Sequence, residues 1–265
     1  MRPRVTRCIA LVFALVAASG CLRAQAPLAA TAGRWIEAGA FYQAVSNRYG
    51  DWSGAFARAV IPVGARDILY GDALAQRAFH DRGAFVSLAD RHEWSADFFT
   101  IASVGHGFDA RFFPDWRADA IVGQRFGRRR NVVATVGGSY VRSRDVYRDV
   151  AATTSLAVYF TGVVIEAGGR YNTSTPGQVH AARGYAAITA VPSSRRSVAL
   201  RVGGGEEGYQ LLGNTITFQR FASQEASIAW RERMTTGWGV LLQADAYRNP
   251  FYSRTGGTLG LTRYF

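Results

Sequence analysis

The sequence has 265 residues, a net charge of +12 and 48% hydrophobic residues. Its mean hydropathy of −0.03 means that apolar and polar residues are interleaved rather than blocked. Beyond the first two dozen residues nothing reaches the roughly 20 apolar residues of a spanning helix, which excludes a helical membrane protein.

The first element is "MRPRVTRCIALVFALVAASGC". Arg2, Arg4 and Arg7 form a basic lead, and Cys8 to Ala18 is apolar but too short to cross a bilayer, as in a secretory signal peptide. The signal is placed at residues 1–24, with cleavage between 20 and 26, followed by a short segment at 25–33. Two processing routes are open. "ASGC" resembles a bacterial lipobox, which would lipidate Cys21, while "LRA" and "AQA" suit ordinary signal peptidase. Cys8 leaves with the signal, so the two cysteines cannot form a disulfide in the mature chain.

From Arg34 onward the dominant period is two, the spacing of strands with one apolar face. In "NVVATVGGSYVRS" the residues Val132, Ala134, Val136, Gly138 and Tyr140 share a face opposite Thr135, Gly137 and Ser139. Segments of this kind begin near residues 34, 52, 67, 83, 96, 115, 131, 150, 162, 182, 195, 218, 237 and 254. Short connections ("VGAR", "WSA", "GRRR", "TG", "PSSRR", "MTTG") alternate with generally longer ones ("SNRYGD", "HGFDARFFPD", "RSRDVYRD", "NTSTPGQVHA", "EEGYQLLGNT", "RNPFYSR"). One outside member, "HDRG", is short. This predicts an all-β fold over residues 34–265: an antiparallel transmembrane β-barrel of about 14 strands, with 12 or 16 also compatible. A soluble sandwich shares the period, but its one apolar face would pack into a dense core, whereas here the second face is rich in Gly, Ala, Thr, Ser and charge.

Several side-chain sets follow from the period. Alternation sends Glu37, Arg58, Asp72, Arg117, Asp119, Arg125, Glu166, Arg170, Arg201, Glu225 and Asp245 inward. They are either a pore lining that sets ion preference or ion pairs that brace the lumen. Trp35, Trp94, Trp116, Trp230 and Trp238 fall near strand ends, where a membrane aromatic girdle would place them. "GRRRN", "SSRRS" and "RER" fall in turns expected on the periplasmic side, beside anionic headgroups. "GGGEEG" lacks the Gly-Lys-Ser/Thr of a phosphate loop and is expected to let a strand end bend.

The chain ends "TGGTLGLTRYF". Phe265 with Leu259 and Leu261 on its face resembles the terminal signal read by barrel-assembly machinery; Arg263 departs from it. No His has Ser two residues on, so the His-x-Ser pattern of outer-membrane lipid hydrolases is missing and a non-enzymatic role is expected. Neither a cofactor nor a metal site is expected, since no two of the four His have ligand spacing.

The stretches "EAGAFYQAVSNRYGDW", "FFPDWRADA", "RRRNVVATVGGSYV", "RDVYRDVAA", "EEGYQLLG" and "YRNPFYSRTGGTLGL" resemble the YaiO family of outer-membrane barrels. The resemblance implies fold and location but carries no catalytic residues. The expected partners are outer-membrane lipids, including lipopolysaccharide, and the assembly machinery. Nucleic acid is not an expected partner, and the chain is expected to be a monomer. The expected function is a passive channel or envelope component, linked to polysaccharide or small-solute passage. The alternative is a barrel whose aromatic outside loops contact glycan, lipopolysaccharide or phage.

Overall fold

The computed structural model describes residues 33–143, 147–211 and 217–265. The signal segment and the Cys21 lipidation site lie outside the described residues. The strands are β1 (Trp35–Val45), β2 (Trp52–Val63), β3 (Asp67–Ala78), β4 (Asp81–Glu93), β5 (Phe98–Phe108), β6 (Trp116–Phe126) and β7 (Val132–Arg142). They continue as β8 (Arg148–Phe160), β9 (Val163–Thr175), β10 (Val179–Ser193), β11 (Arg196–Leu211), β12 (Thr217–Arg233), β13 (Trp238–Arg248) and β14 (Ser253–Tyr264). Each predicted segment starts within three residues of an observed strand, the widest gap being Ala182 against Val179.

Every strand pairs antiparallel with its chain neighbour, and β1 closes on β14 from Trp35↔Tyr264 to Val45↔Arg254. Closure leaves no edge of unpaired N–H and C=O groups, the condition for crossing hydrocarbon with strands. By the habit of such barrels, the short-turn rim is periplasmic and the long-loop rim faces outside. The short outside connection is a two-residue turn in which Phe79 (φ 53°) and His80 (φ 62°) are both left-handed. That pair of conformations matches the twist of the flanking strands.

Two expectations about connections need correction. Much of "EEGYQLLGNT" is strand, because the β11–β12 ladder runs unbroken from Arg196↔Glu232 to Leu211↔Thr217. The glycines of "GGGEEG" therefore lie inside β11 rather than at its end. "RER" is also strand, not turn: Arg231, Glu232 and Arg233 pair with β13.

The outward face matches a bilayer. Leu88, Val104, Val136, Leu156, Ile188 and Leu259 form an exposed apolar band. Trp94, Phe126, Phe160, Trp238 and Phe265 are exposed along the short-turn rim; Tyr42, Phe108, Trp116, Tyr140 and Tyr171 are exposed toward the other. These are the two aromatic girdles of a membrane barrel. Trp35 does not join them. It shares the inward parity of Glu37 and is buried against Val60, Tyr70 and Ala89.

Inward glycines shape the wall. Gly123 stands opposite Phe99, and Gly168 opposite Tyr185. A Cβ on Gly123 would meet Phe99 Cζ at 2.1 Å, and one on Gly168 would meet Tyr185 Cε1 at 2.7 Å. The missing side chain lets each ring lie flat across the neighbouring strand, which leaves its other face free for a cation.

Candidate functional site

The eleven charged residues expected to point inward all occupy inward register positions. Local pairing then sorts them into separate groups.

The first group centres on Glu37, which is fully buried. Its carboxylate accepts hydrogen bonds from both terminal nitrogens of Arg231 and, at 3.0 Å, from Thr262 Oγ1. Arg58 Nη1 lies 3.5 Å from Glu37, and Arg58 Nε lies 3.3 Å from Asp72. Glu37 thus ties β1 and β2 to β12 and β14 across the closing seam, and Arg58 extends the group to β3. A carboxylate this deep is tolerable only with such partners.

The second group joins Arg91, Glu93 and Arg125. Glu93 accepts from Arg91 Nε at 2.9 Å and from Arg125 Nη2 at 2.7 Å. Both guanidinium groups also face the Phe99 ring, 4.1 and 4.9 Å from its centroid. The Phe99 layer, resting on Gly123, carries two stacked cations, a favourable arrangement for Arg. Nearer the outside rim, Arg117 donates two hydrogen bonds of 2.8 Å to Asp119, which also accepts from Ser103 at 3.0 Å.

The opposite wall is organised differently. Arg183 donates to Glu207 at 2.5 Å and lies 3.2 Å from Glu225, while Ser223 and Tyr247 also donate to Glu207. Tyr185 donates its hydroxyl hydrogen to Glu166, and Arg201 stacks 3.6 Å above the same ring. Arg170 donates to Asn172, which links to Asp149 and Ser174. Gln43 donates to Asp245 at 2.7 Å.

Sequence reasoning missed Arg91, Glu93, Arg183, Glu207, Arg231 and Arg254 as inward charges. Parity counted from the observed strands places each of them inside; counting from blurred segment starts or assumed loops did not.

A cavity of about 710 Å³ follows the lumen. Its lining runs from Arg34, Tyr264 and Ser193–Arg196 at the short-turn end to Tyr147, Arg148 and Thr175 at the other. Among the described residues, 13 arginines and 7 carboxylate residues line it.

The outside mouth is partly filled by aromatics. Phe112 and Phe113, from the connection between β5 and β6, are buried with Trp52, Phe85, Tyr247 and Tyr252. The connection is fastened by Arg111 N–H to Asp81 at 2.9 Å. Asn249 Oδ1 accepts the Phe251 and Tyr252 N–H groups at 2.8 Å, and burial pushes the Tyr252 hydroxyl pKa up. Of the aromatic outside connections "HGFDARFFPD" and "RNPFYSR", the Phe112, Phe113 and Tyr252 rings turn into the barrel mouth, while Phe108 is exposed.

One set of metal-type ligands also converges among the described residues: Asp67, Asp90 and His92, on the outward face of β3 and β4. Spacing in the sequence brings out only Asp90 and His92, two apart on β4; Asp67 reaches them through the β3–β4 register.

A model of the YaiO membrane beta barrel domain matches residues 34–210. No curated protein matches the chain. Among solved structures, a loop-deleted OmpT, an outer membrane protein of Vibrio cholerae, aligns with TM-score 0.52 at 9% identity, covering 88% of this chain and 98% of that one. The translocator domain of autotransporter NalP from Neisseria meningitidis aligns with TM-score 0.51 at 13% identity, covering 94% and 95%. A bacterial polysaccharide outer membrane secretin aligns with TM-score 0.53 at 7% identity, covering 88% and 98%. At these identities the likeness is one of fold.

Proposed function

The chain belongs to the YaiO family of membrane β-barrels, and from that premise we propose that it is a passive, non-enzymatic channel of the outer membrane that favours small anionic solutes. The observation that supports this is the continuous cavity, lined by about twice as many arginines as carboxylates. A narrow, low-dielectric passage lined mainly by one sign of charge concentrates the opposite ion. Two of the lining arginines are held on aromatic rings, Arg201 over Tyr185 and Arg254 over Trp52 at 4.4 Å.

The test is single-channel current from the refolded mature chain in a planar bilayer under a salt gradient. The expected result is steady conductance with a reversal potential on the anion side, shifted toward neutrality by Arg201→Gln. A correctly folded but silent barrel would overturn the channel. The ion pairs around Glu37 and Glu93 would then be a brace, and the protein an envelope component.

A further inference from the structure

We propose that Asp67, Asp90 and His92 form a binding site for a divalent transition-metal ion on the outer wall of the barrel, at its short-turn rim. The three residues reach one another through the β3–β4 ladder. Asp67 stands directly opposite His92, and Asp90 opposite Leu69, so all three side chains leave the same, outward face. Each offers a ligand atom, and these atoms lie within 4.8 Å of one another.

An ordinary His–Asp pair accounts for only part of this. His92 Nδ1 and Asp67 Oδ1 are 2.6 Å apart. Asp90 is not served by that pair. Its Oδ1 is buried and has no hydrogen-bond partner among the described residues, which is uncommon for a carboxylate oxygen. A cation held between the two carboxylates and the imidazole gives that oxygen a partner.

The surroundings suit a bound ion. Trp94 packs against the His92 ring at 4.5 Å and anchors its own Nε1–H on Thr100 Oγ1 at 3.0 Å, fixing the imidazole from behind. Supported ligands of this kind bind metals better than mobile ones. The Asp67 and His92 side chains remain 39% and 28% exposed, so an ion can enter and keep water or a headgroup phosphate in its remaining positions. Asp67 begins β3 and Glu93 ends β4, which sets the cluster at headgroup level, where water is present. One imidazole with two carboxylates fits Zn²⁺ or Mn²⁺ better than the all-oxygen shell of Ca²⁺ or Mg²⁺.

The experiment uses the tag-free mature barrel, refolded in detergent micelles and stripped with a chelator. Zn²⁺ and Mn²⁺ are each titrated in by calorimetry, and heat-shifted gel mobility checks that every variant is folded. The expected result is one saturable site per chain for at least one of the ions. Affinity should fall roughly tenfold or more in Asp90→Asn and in His92→Gln. It should persist in His106→Gln, which alters a histidine at the opposite rim. Asp67→Asn replaces either variant that fails to fold. No saturable binding of either ion, or unchanged affinity in Asp90→Asn and His92→Gln, would overturn the site.

Discussion

Along β8 the outward residues Val150, Leu156 and Phe160 are exposed, while their inward neighbours Ala151 and Ala157 are buried and Ser155 shares a 2.7 Å hydrogen bond with Thr135. The same contrast runs round the barrel. An outward position in the apolar band answers to the bilayer alone, so an apolar side chain of almost any shape will serve. An inward position answers to particular residues on other strands, as Glu37 does to Arg231 and Thr262. The outer face is therefore a matter of composition, and the inner face a matter of pairing. Substitutions on the two faces should fail in different ways.

The largest effect is expected at the Glu37 group. Glu37→Ala leaves Arg231 and Arg58 facing an empty site. Removing one member of a buried ion pair costs about 3–5 kcal/mol. Urea unfolding of the protein refolded in lipid vesicles should register that loss. The pairing rule is sharpened by adding Arg231→Met to Glu37→Ala. The double variant should cost clearly less than the two single ones together, because the second change removes the charge that the first one stranded. Additive costs would reduce Glu37 to an ordinary packing residue.

Next comes the outer face. Leu156 sits near the middle of β8, and Leu156→Arg should cost about 2–4 kcal/mol, the range for a cation at the midplane of a barrel's lipid face. The adjacent inward change, Ser155→Arg, meets the wet lumen and should cost much less in the same vesicles. Equal costs for the two neighbours would break the contrast between the faces. A third and smaller effect belongs to the wall itself. Gly123→Val should cost about 1–3 kcal/mol by overpacking, since its side chain would push Phe99 off the wall and disturb the stacked Arg91 and Arg125. Fluorescence-detected urea melts would show it.

The same contrast explains what the sequence revealed. Strand count, strand starts, closure and the lipid band are consequences of a period of two, and that period can be read without knowing any partner. The inward charges could be assigned a face but not a partner. Glu37 and Arg231 are 194 residues apart, and only the closing of β1 on β14 brings their strands together. Arg231 was misplaced because "RER" resembles a basic turn, although the β12–β13 ladder carries it inside. Trp35 was misplaced because a Trp at a strand end suits a girdle, and only its shared parity with Glu37 decides the matter. The Asp67, Asp90 and His92 cluster was invisible for the same reason as the ion pairs. Asp90 and His92 share one face of β4, but the third ligand, Asp67, joins them only through the β3–β4 ladder.

The weakest expected effect tests whether pairing extends onto the rim, where both rules meet. Tyr42 points outward at the end of β1 and donates its hydroxyl hydrogen to Asp51, in the connection to β2. Asp51 also accepts the Val45 N–H at 3.1 Å. The Tyr42 hydroxyl, with the Val45 amide second, holds the Asp51 pKa below the ordinary carboxylate value. A carboxylate with a lowered folded pKa contributes its stabilisation fully above the unfolded value. That contribution fades as pH falls below the usual carboxylate range and through the folded value. Between neutrality and the unfolded value the connection should therefore stay fixed, and it should loosen only in stronger acid. Asp51 is open to solvent, so the global melting temperature should barely move. The change should appear locally, in a carboxyl-carbon NMR titration of Asp51 with a midpoint below that of a model peptide. Asp51→Asn should abolish the associated shift at the Val45 amide. A midpoint at or above the peptide value would show that the connection is held by its backbone alone, and that side-chain pairing stops at the membrane rim.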